Sequence, residues 1–189
     1  MNIASAKFIK GIVEDDEVLN DGIPQVAFIG RSNVGKSSVI NTLANKKDLA
    51  KTSSFPGRTR EINIFLINNS FYLVDLPGYG FAKGSKQKQK KIQSLIYWYL
   101  LDSSYRQKKI VLIIDANIGP TENDMQMLHS LAEQNKQVII VANKVDKIKK
   151  SSYKKQLAEI QNAVGNYKII PYSAEQKIGV NGLLNEIFN

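Results

Sequence analysis

The chain has 189 residues, 43% hydrophobic and 23% charged, with no cysteine and with 26 Lys+Arg against 17 Asp+Glu for a net charge of +9. This is the length of one domain, with enough apolar surface to offset the entropy of folding, which excludes a fibre, a disulfide-stapled module and a globally disordered chain. The missing cysteines remove thiolate zinc sites, iron–sulfur clusters and cysteine nucleophiles, and they fit a reducing compartment.

Residues 1–22 hold two lysines against five acids (Glu14, Asp15, Asp16, Glu17, Asp21), a local charge of −3 that leaves +12 on the remainder. They read as an extension, either flexible or paired with a sheet edge, ahead of a domain over 23–189. Six short β-branched or aliphatic runs follow at Gln25–Gly30, Ile62–Ile67, Phe71–Asp75, Lys109–Asp115, Gln137–Asn143 and Lys168–Tyr172, each bounded by turn residues as strands are. They are apolar almost throughout, which means that both faces are covered. Between them the apolar spacing predicts helices through Val39/Ile40/Leu43, Ile92/Leu95/Ile96/Tyr99, Met125/Leu128/Leu131, Tyr153/Leu157/Ile160/Val164 and Val180/Leu183/Leu184/Ile187. Strand–helix alternation predicts an open α/β sheet with helices on both faces. Only Asn68, Asn69 and Ser70 separate the second and third runs, so these form a hairpin and one edge strand is expected to be antiparallel. The most apolar runs, Ile110–Ile114 and Val138–Ala142, are five residues long, where a membrane span needs about twenty. With no apolar signal region at the start either, the expectation is a cytoplasmic protein without integral membrane association.

Three motifs stand at the ends of predicted strands. Gly30-Arg31-Ser32-Asn33-Val34-Gly35-Lys36-Ser37 matches the G-x-x-x-x-G-K-[ST] pattern between a strand and a helix. A phosphate chain needs converging backbone N–H groups and a helix N-terminus facing it, and side chains at the glycines would obstruct that approach. Residues 30–35, with Lys36, Ser37 and Ser38 at the helix start, are therefore a candidate phosphate cradle. Lys36 supplies a point charge for the outer phosphates and Ser37 a hydroxyl for Mg²⁺. Lys36→Ala is expected to abolish triphosphate binding and leave the domain folded, because the head group faces the ligand. Asp75-Leu76-Pro77-Gly78 follows the third run, where Asp75 could hold Mg²⁺ through water and the Gly78 N–H could touch a terminal phosphate. Asn143-Lys144-Val145-Asp146 follows the fifth. Guanine presents adjacent N1–H and N2–H donors that adenine lacks, and a carboxylate accepts both, so Asp146 would select the base while Asn143 braces the loop and the Lys144 stem covers the ring. This makes the nucleotide GTP or GDP.

Together, the strings GRSNVGKSS, FPGRTR, DLPGYGFAK, NKVD and Ser173-Ala174 resemble the EngB family (also called YihA or YsxC), translation-factor-related bacterial GTPases implicated in assembling the large ribosomal subunit. The resemblance spans about residues 23–189. It implies the three-layer, Ras-like P-loop GTPase fold, with a six-stranded, mostly parallel sheet and one antiparallel edge strand. It also implies Thr59, beside Gly57 in Pro56-Gly57-Arg58-Thr59, as the switch-one threonine that meets Mg²⁺ and the γ-phosphate. On the same basis Lys36, Thr59 and Gly78 are the catalytic set, residues 75–91 are switch two, and Ser173 and Ala174 are backbone contacts to guanine. Glu175 stands where many GTPases carry lysine. Tyr79 occupies the position at which many GTPases hold a water-orienting glutamine, for which a tyrosine is poorly shaped, so intrinsic hydrolysis should be slow. A partner, ribosomal RNA or a second cation would then complete the site. Similar GTPases with asparagine at the position of Asn33 use it to hold K⁺ beside the phosphates, where the ion could replace an arginine finger.

Residues Lys83–Lys91 contain five lysines, and Lys144, Lys147, Lys149, Lys150, Lys154 and Lys155 form a second set. The first set follows the Asp75–Gly78 loop, so it could present charge to ribosomal RNA in one nucleotide state only; the second is a further candidate for that contact. The expected partner is the large ribosomal subunit or its precursor, and the protein is expected to act as a monomer. Alternatives are an RNA-binding module that uses nucleotide structurally, a P-loop kinase, and a cell-division or membrane-surface regulator. The kinase needs a lid of arginines, whereas there are four in the chain, three of them (Arg31, Arg58, Arg60) near the nucleotide motifs. Tyr97 and Trp98 fall off the apolar stripe of their helix, as interface aromatics or under a neighbouring segment, and the sole histidine, His129, reads as an ordinary helix residue.

Overall fold

The computed structural model describes residues 3–51, 61–80, 85–105 and 107–188. Seven strands form one sheet: β1 (Ala6–Ile12), β2 (Gln25–Gly30), β3 (Ile62–Ile67), β4 (Phe71–Asp75), β5 (Gln107–Asp115), β6 (Val138–Asn143) and β7 (Lys168–Pro171). Their spatial order is β1-β3-β4-β2-β5-β6-β7. The helices are α1 (Lys36–Leu43), α2 (Lys86–Tyr97), α3 (Glu122–Glu133), α4 (Tyr153–Val164) and α5 (Val180–Phe188).

Alternation along the strands divides the core in two, because successive side chains point to opposite faces. In β2, Val26 and Phe28 join the cluster under α1 and α5, whereas Ala27 and Ile29 join the larger cluster under α2, α3 and α4. The same split sends Val111 and Ile113 to one side of β5 and Ile110, Leu112 and Ile114 to the other. All six β2 residues are buried, which is why Val26–Ile29 is apolar without interruption, while the one polar member, Gln25, is paired to Leu19 O and the Tyr99 hydroxyl. The three-layer α/β sandwich is thus as expected, with a seventh strand at its edge.

That seventh strand, β1, arises from residues 6–12. It pairs antiparallel with β3, while β3 is also antiparallel to β4, so β3 alone runs against the rest and lies one place in from the edge. Periodicity concealed it: Lys7, Phe8, Ile9 and Lys10 are all exposed, and the register slips between Phe8 and Lys10, so no apolar alternation survives. Its attachment comes from the hairpin turn. Asn68 and Asn69 both take left-handed backbone angles (φ 50° and 52°), which asparagine tolerates. The Asn68 Oδ1 accepts the N–H groups of Ala4 (2.8 Å) and Ser5 (3.0 Å), delivering the chain into β1.

The sheet order reverses at β2: β3 and β4 lie to one side, β5, β6 and β7 to the other. In an open parallel sheet this reversal leaves a crevice beyond the strand C-termini, where ligands bind. The ends of β2, β4, β5 and β6 all meet there, since Phe28 is level with Asp75 and Asp115 is level with Asn143.

Candidate functional site

The loop after β2 is shaped by its glycines. A Cβ on Gly30 would lie 2.5 Å from the Ile113 carbonyl oxygen. Gly35 has φ +91°, and a Cβ there would meet Asn143 Nδ2 at 2.4 Å. Gly35 is also the N-cap of α1, so Lys36, Ser37 and Ser38 open a helix whose first-turn N–H groups have no intrahelical acceptor. A loop of this form ending on a helix N-terminus is an anion site. Lys36 is buried, and its ammonium group donates to the Asp75 carboxylate at the end of β4. Burial pushes the Asp75 pKa up, and the charge of Lys36 opposes that rise. The lysine head group therefore faces the carboxylate in this structure.

The segment after β4 zips onto the same loop. Leu76 N–H donates to Phe28 O (3.1 Å), Tyr79 N–H to Gly30 O (3.3 Å), and Ser32 N–H to Tyr79 O (3.0 Å). Gly78 lies against Ser32 so closely that a Cβ would come within 3.0 Å of the Ser32 nitrogen. Tyr79 turns its ring toward α3 and donates its hydroxyl to Asp124 Oδ1 at 2.7 Å. Gly57 and Thr59, of the expected switch one, and Lys83 lie outside the described residues.

Across the crevice, Asn143 ties the third motif to the first. Its Nδ2 donates to Val34 O (2.8 Å) and its Oδ1 accepts from Ala174 N (3.3 Å). Lys144, with φ 67°, reaches back so that its ammonium donates to Asn33 O (2.8 Å) and Asp115 Oδ2 (2.7 Å). Asp146 accepts the Ser173 hydroxyl at 2.6 Å. That bond first, and Lys147 at 3.3 Å after it, hold its carboxyl below the ordinary range, so it is an anionic acceptor at neutral pH. Gly35, Ser38, Asn143, Lys144, Asp146 and Ala174 line a cavity of about 320 Å³, and Glu175 closes its rim paired to Lys147 at 3.0 Å. The cavity is lined by the Asp146 carboxylate, an acceptor with two oxygens, which suits a planar base with adjacent N–H donors.

Two carboxylates that the motifs did not single out belong to this framework. Asp115 ends β5 and receives Lys144; its position at a strand C-terminus is the same signal that picked out Asp75. Asp124 is 2% exposed on α3 and receives Tyr79, a contact across 45 residues that no local pattern encodes. Among the described residues no three His, Cys, Asp or Glu side chains cluster as a metal cage. The donors present at the phosphate loop, the Ser37 hydroxyl and the Asp75 carboxylate, suit a hard cation that takes its remaining ligands from phosphate and water.

On α2, Lys86, Lys88, Lys90 and Lys91 are exposed and enter no ion pair among the described residues. A cavity of about 920 Å³ separates α2 from Val13–Asp15, with Lys88, Lys91, Leu95 and Trp98 on the helix side. The second lysine set is partly neutralised: Lys144 is held by Asp115, Lys147 by Asp146 and Glu175, and Lys155 lies 3.8 Å from Glu159. Tyr97 and Trp98 are half-buried, and a π-helical turn over Trp98–Asp102 sets the Trp98 ring edge-on to Tyr105 at 5.9 Å. His129 is exposed on α3. Among the described residues no helix is long and apolar enough to cross a membrane.

Residues 25–144 match the family of 50S ribosome-binding GTPases, and 103–189 match the GTP-binding domain of elongation factor Tu. The probable GTP-binding protein EngB of Clostridium perfringens strain SM101 is 42% identical over 192 aligned positions, covering 100% of this chain and 97% of that protein. Its counterpart in Thermoanaerobacter pseudethanolicus is 41% identical, covering 98% and 97%. Among solved structures, a probable GTP-binding protein EngB superposes with a TM-score of 0.73 at 28% identity, covering 87% of this chain and 96% of its own. Era, in complex with MgGDPNP and a segment of 16S ribosomal RNA, gives 0.71 at 27% identity, covering 87% and 55%.

Proposed function

The chain belongs to the EngB family of GTP-binding P-loop GTPases, and on that footing we propose that it is a GTP-driven switch in assembly of the large ribosomal subunit, acting in the cytoplasm. One arrangement carries this reading: Lys36, Asp75 and Asp146 lie at one crevice beyond the ends of β2, β4 and β6, and the segment leading out of it opens the lysine-rich α2.

In this reading the loop amides not spent within the chain, with those of Lys36, Ser37 and Ser38 at the start of α1, cradle the phosphates, and Lys36 leaves Asp75 to meet the outer ones. Ser37 and Asp75, with Thr59, hold Mg²⁺, which when bound neutralises charge on the phosphates. Asp146 accepts the guanine N1–H and N2–H, Asn143 and Ala174 fix the loop around the base, and Lys144 covers the ring. Gly78 donates to the γ-phosphate. The bond from Tyr79 to Asp124 supports slow intrinsic turnover, because that side chain is engaged on α3 and supplies no donor for an attacking water. Asn33 would be the residue to hold K⁺ beside the phosphates, and that ion, or a group from the ribosomal particle, would supply the missing stabilisation. Turnover that is equal in K⁺ and Na⁺ buffers would remove the K⁺ part of this reading.

The lysines of α2 are the stronger candidates for contact with ribosomal RNA, since those after the guanine motif are partly paired within the chain. The likeness to Era and to the 50S ribosome-binding family supports a ribosomal partner. The test is sedimentation with large-subunit particles in a non-hydrolysable GTP analogue, in GDP and without nucleotide. Co-sedimentation confined to the analogue, weakened by Lys88→Glu/Lys91→Glu, is expected. Equal sedimentation in all three states would favour an RNA-binding module that uses nucleotide only structurally.

A further inference from the structure

We propose that the Tyr79 hydroxyl and the Asp124 carboxylate form an anchor that positions Gly78 for the γ-phosphate, so that α3 sets how strongly the site prefers GTP to GDP. The inference rests on the GTPase reading above and assigns Tyr79 and Asp124 as positioning residues.

Asp124 divides its two oxygens between two elements. Oδ2 accepts from the Thr121 N–H (2.8 Å) and the Thr121 hydroxyl (2.7 Å), completing the capping box that starts α3. Oδ1 accepts the Tyr79 hydroxyl at 2.7 Å. The carboxylate is 2% exposed, and a hydrogen bond to a buried charge is among the stronger ones a protein makes. Burial beside Asp124 also raises the Tyr79 pKa far above its ordinary value, so the phenol remains a donor across the working pH range. The cap alone needs only Oδ2; the second bond makes no contribution to the helix start.

The other end of Tyr79 is fixed to the phosphate loop. Its N–H donates to Gly30 O and its carbonyl accepts from Ser32 N, forming a short parallel bridge between Arg31 and Tyr79. Tyr79 is thus held on both sides, by the phosphate loop through its backbone and by α3 through its ring. Gly78 is the residue immediately before it. The N–H groups of Leu76 and Tyr79 are both paired, whereas that of Gly78 donates to no acceptor among the described residues. An unpaired amide held against the phosphate loop is a ready donor for an anion, and in the GTPase reading that anion is the γ-phosphate, which GDP lacks. A cavity of about 320 Å³ lies between Gly78–Gly80, Ile92, Ile96 and Met127, so the α3 side of the segment has room into which it could shift once the Tyr79 hydroxyl is released. Loss of the anchor would let Gly78 sample positions away from the γ-phosphate, which weakens GTP and leaves GDP untouched, because an effector changes an affinity only through contacts that differ between states.

The experiment compares Tyr79→Phe, which removes the anchor and keeps the cap, with Thr121→Ala, which weakens the cap and keeps the anchor. Calorimetry gives the GDP and GTP-analogue affinities of each, and single-turnover hydrolysis gives the rate. For Tyr79→Phe, analogue affinity should fall about tenfold with GDP affinity within about twofold of wild type, the size expected for one hydrogen bond to a charged group. Thr121→Ala should lower Tm and leave the affinity ratio unchanged. An unchanged ratio in Tyr79→Phe, or the same ratio shift in both variants, would overturn the anchor. Wild-type protein that binds neither nucleotide would instead overturn the underlying GTPase reading.

Discussion

Replacing Lys36 by alanine tests the phosphate loop before any nucleotide is added. Lys36 and Asp75 are 8% and 2% exposed and hydrogen-bonded to each other. Taking away the lysine strands a carboxylate in the interior, and breaking one side of a buried ion pair costs about 3–5 kcal/mol. In a chain of this size each kcal/mol lowers Tm by about 2–4 °C, so the nucleotide-free variant should melt about 6–20 °C below wild type near neutral pH. The substitution therefore acts on folding as well as on triphosphate binding, unlike the expectation from sequence. Its pH dependence follows from Asp75. Burial raises that pKa above the ordinary 3.8, and Lys36 works against the rise. A carboxyl with its folded pKa above its unfolded one binds more protons when folded, so its contribution to stability falls as pH rises from the unfolded value through the folded one. Without Lys36 the folded pKa climbs further and the loss deepens. The gap between variant and wild type should be widest at neutral pH, narrow on acidification, and close in large part when Asp75→Asn is added to remove the stranded charge. Thermal unfolding by circular dichroism on nucleotide-stripped protein measures all three. Equal melting of the variant and wild type at neutral pH, or a loss that neither acid nor Asp75→Asn relieves, would refute the reasoning.

Asp146→Asn should weaken GDP binding and relax the preference for guanine over adenine nucleotides, because an amide offers one acceptor oxygen where the carboxylate offers two; competition binding with GTP and ATP reads it, and unchanged selectivity would count against Asp146 as the base reader. Asn143→Ala strands the buried Val34 carbonyl, now held at 2.8 Å, and should cost about 1–3 kcal/mol in urea unfolding as well as loosening the base pocket; a midpoint identical to wild type would contradict the brace. Gly30→Ala places a methyl group 2.5 Å from the Ile113 carbonyl, a backbone atom that cannot swing away, and should destabilise by at least about 1–3 kcal/mol with loss of nucleotide affinity; full stability with normal binding would show that the loop is free to shift.

Much of this protein is legible without coordinates. The phosphate loop, Asp75 and the guanine motif are contiguous strings at strand ends, and their chemistry is local: glycines for backbone approach, a lysine and a hydroxyl at a helix start, a carboxylate with two acceptor oxygens. The central strands are equally plain, because residues buried on both faces, such as Val26–Ile29, must be apolar whatever surrounds them. Edge pairing of residues 1–22 is only one of the two readings that the sequence allows, since the exposed Lys7–Lys10 segment and the bulge erase the period of two, and what seats β1 is its ladder to β3 together with an asparagine side chain more than sixty residues away.

The partnerships inside the site belong to the tertiary structure. Sequence assigned Lys36 to phosphate and Tyr79 to the neighbourhood of the attacking water; packing gave Lys36 to Asp75 and the Tyr79 hydroxyl to Asp124. It also joined Lys144 to Asp115 and Asn143 to Val34. Motif spacing specifies which groups a ligand would meet, because that chemistry resides in a few consecutive residues. Which side chains meet one another depends on the sheet order that brings β2, β4, β5 and β6 to a common rim, and that order is a property of the whole chain.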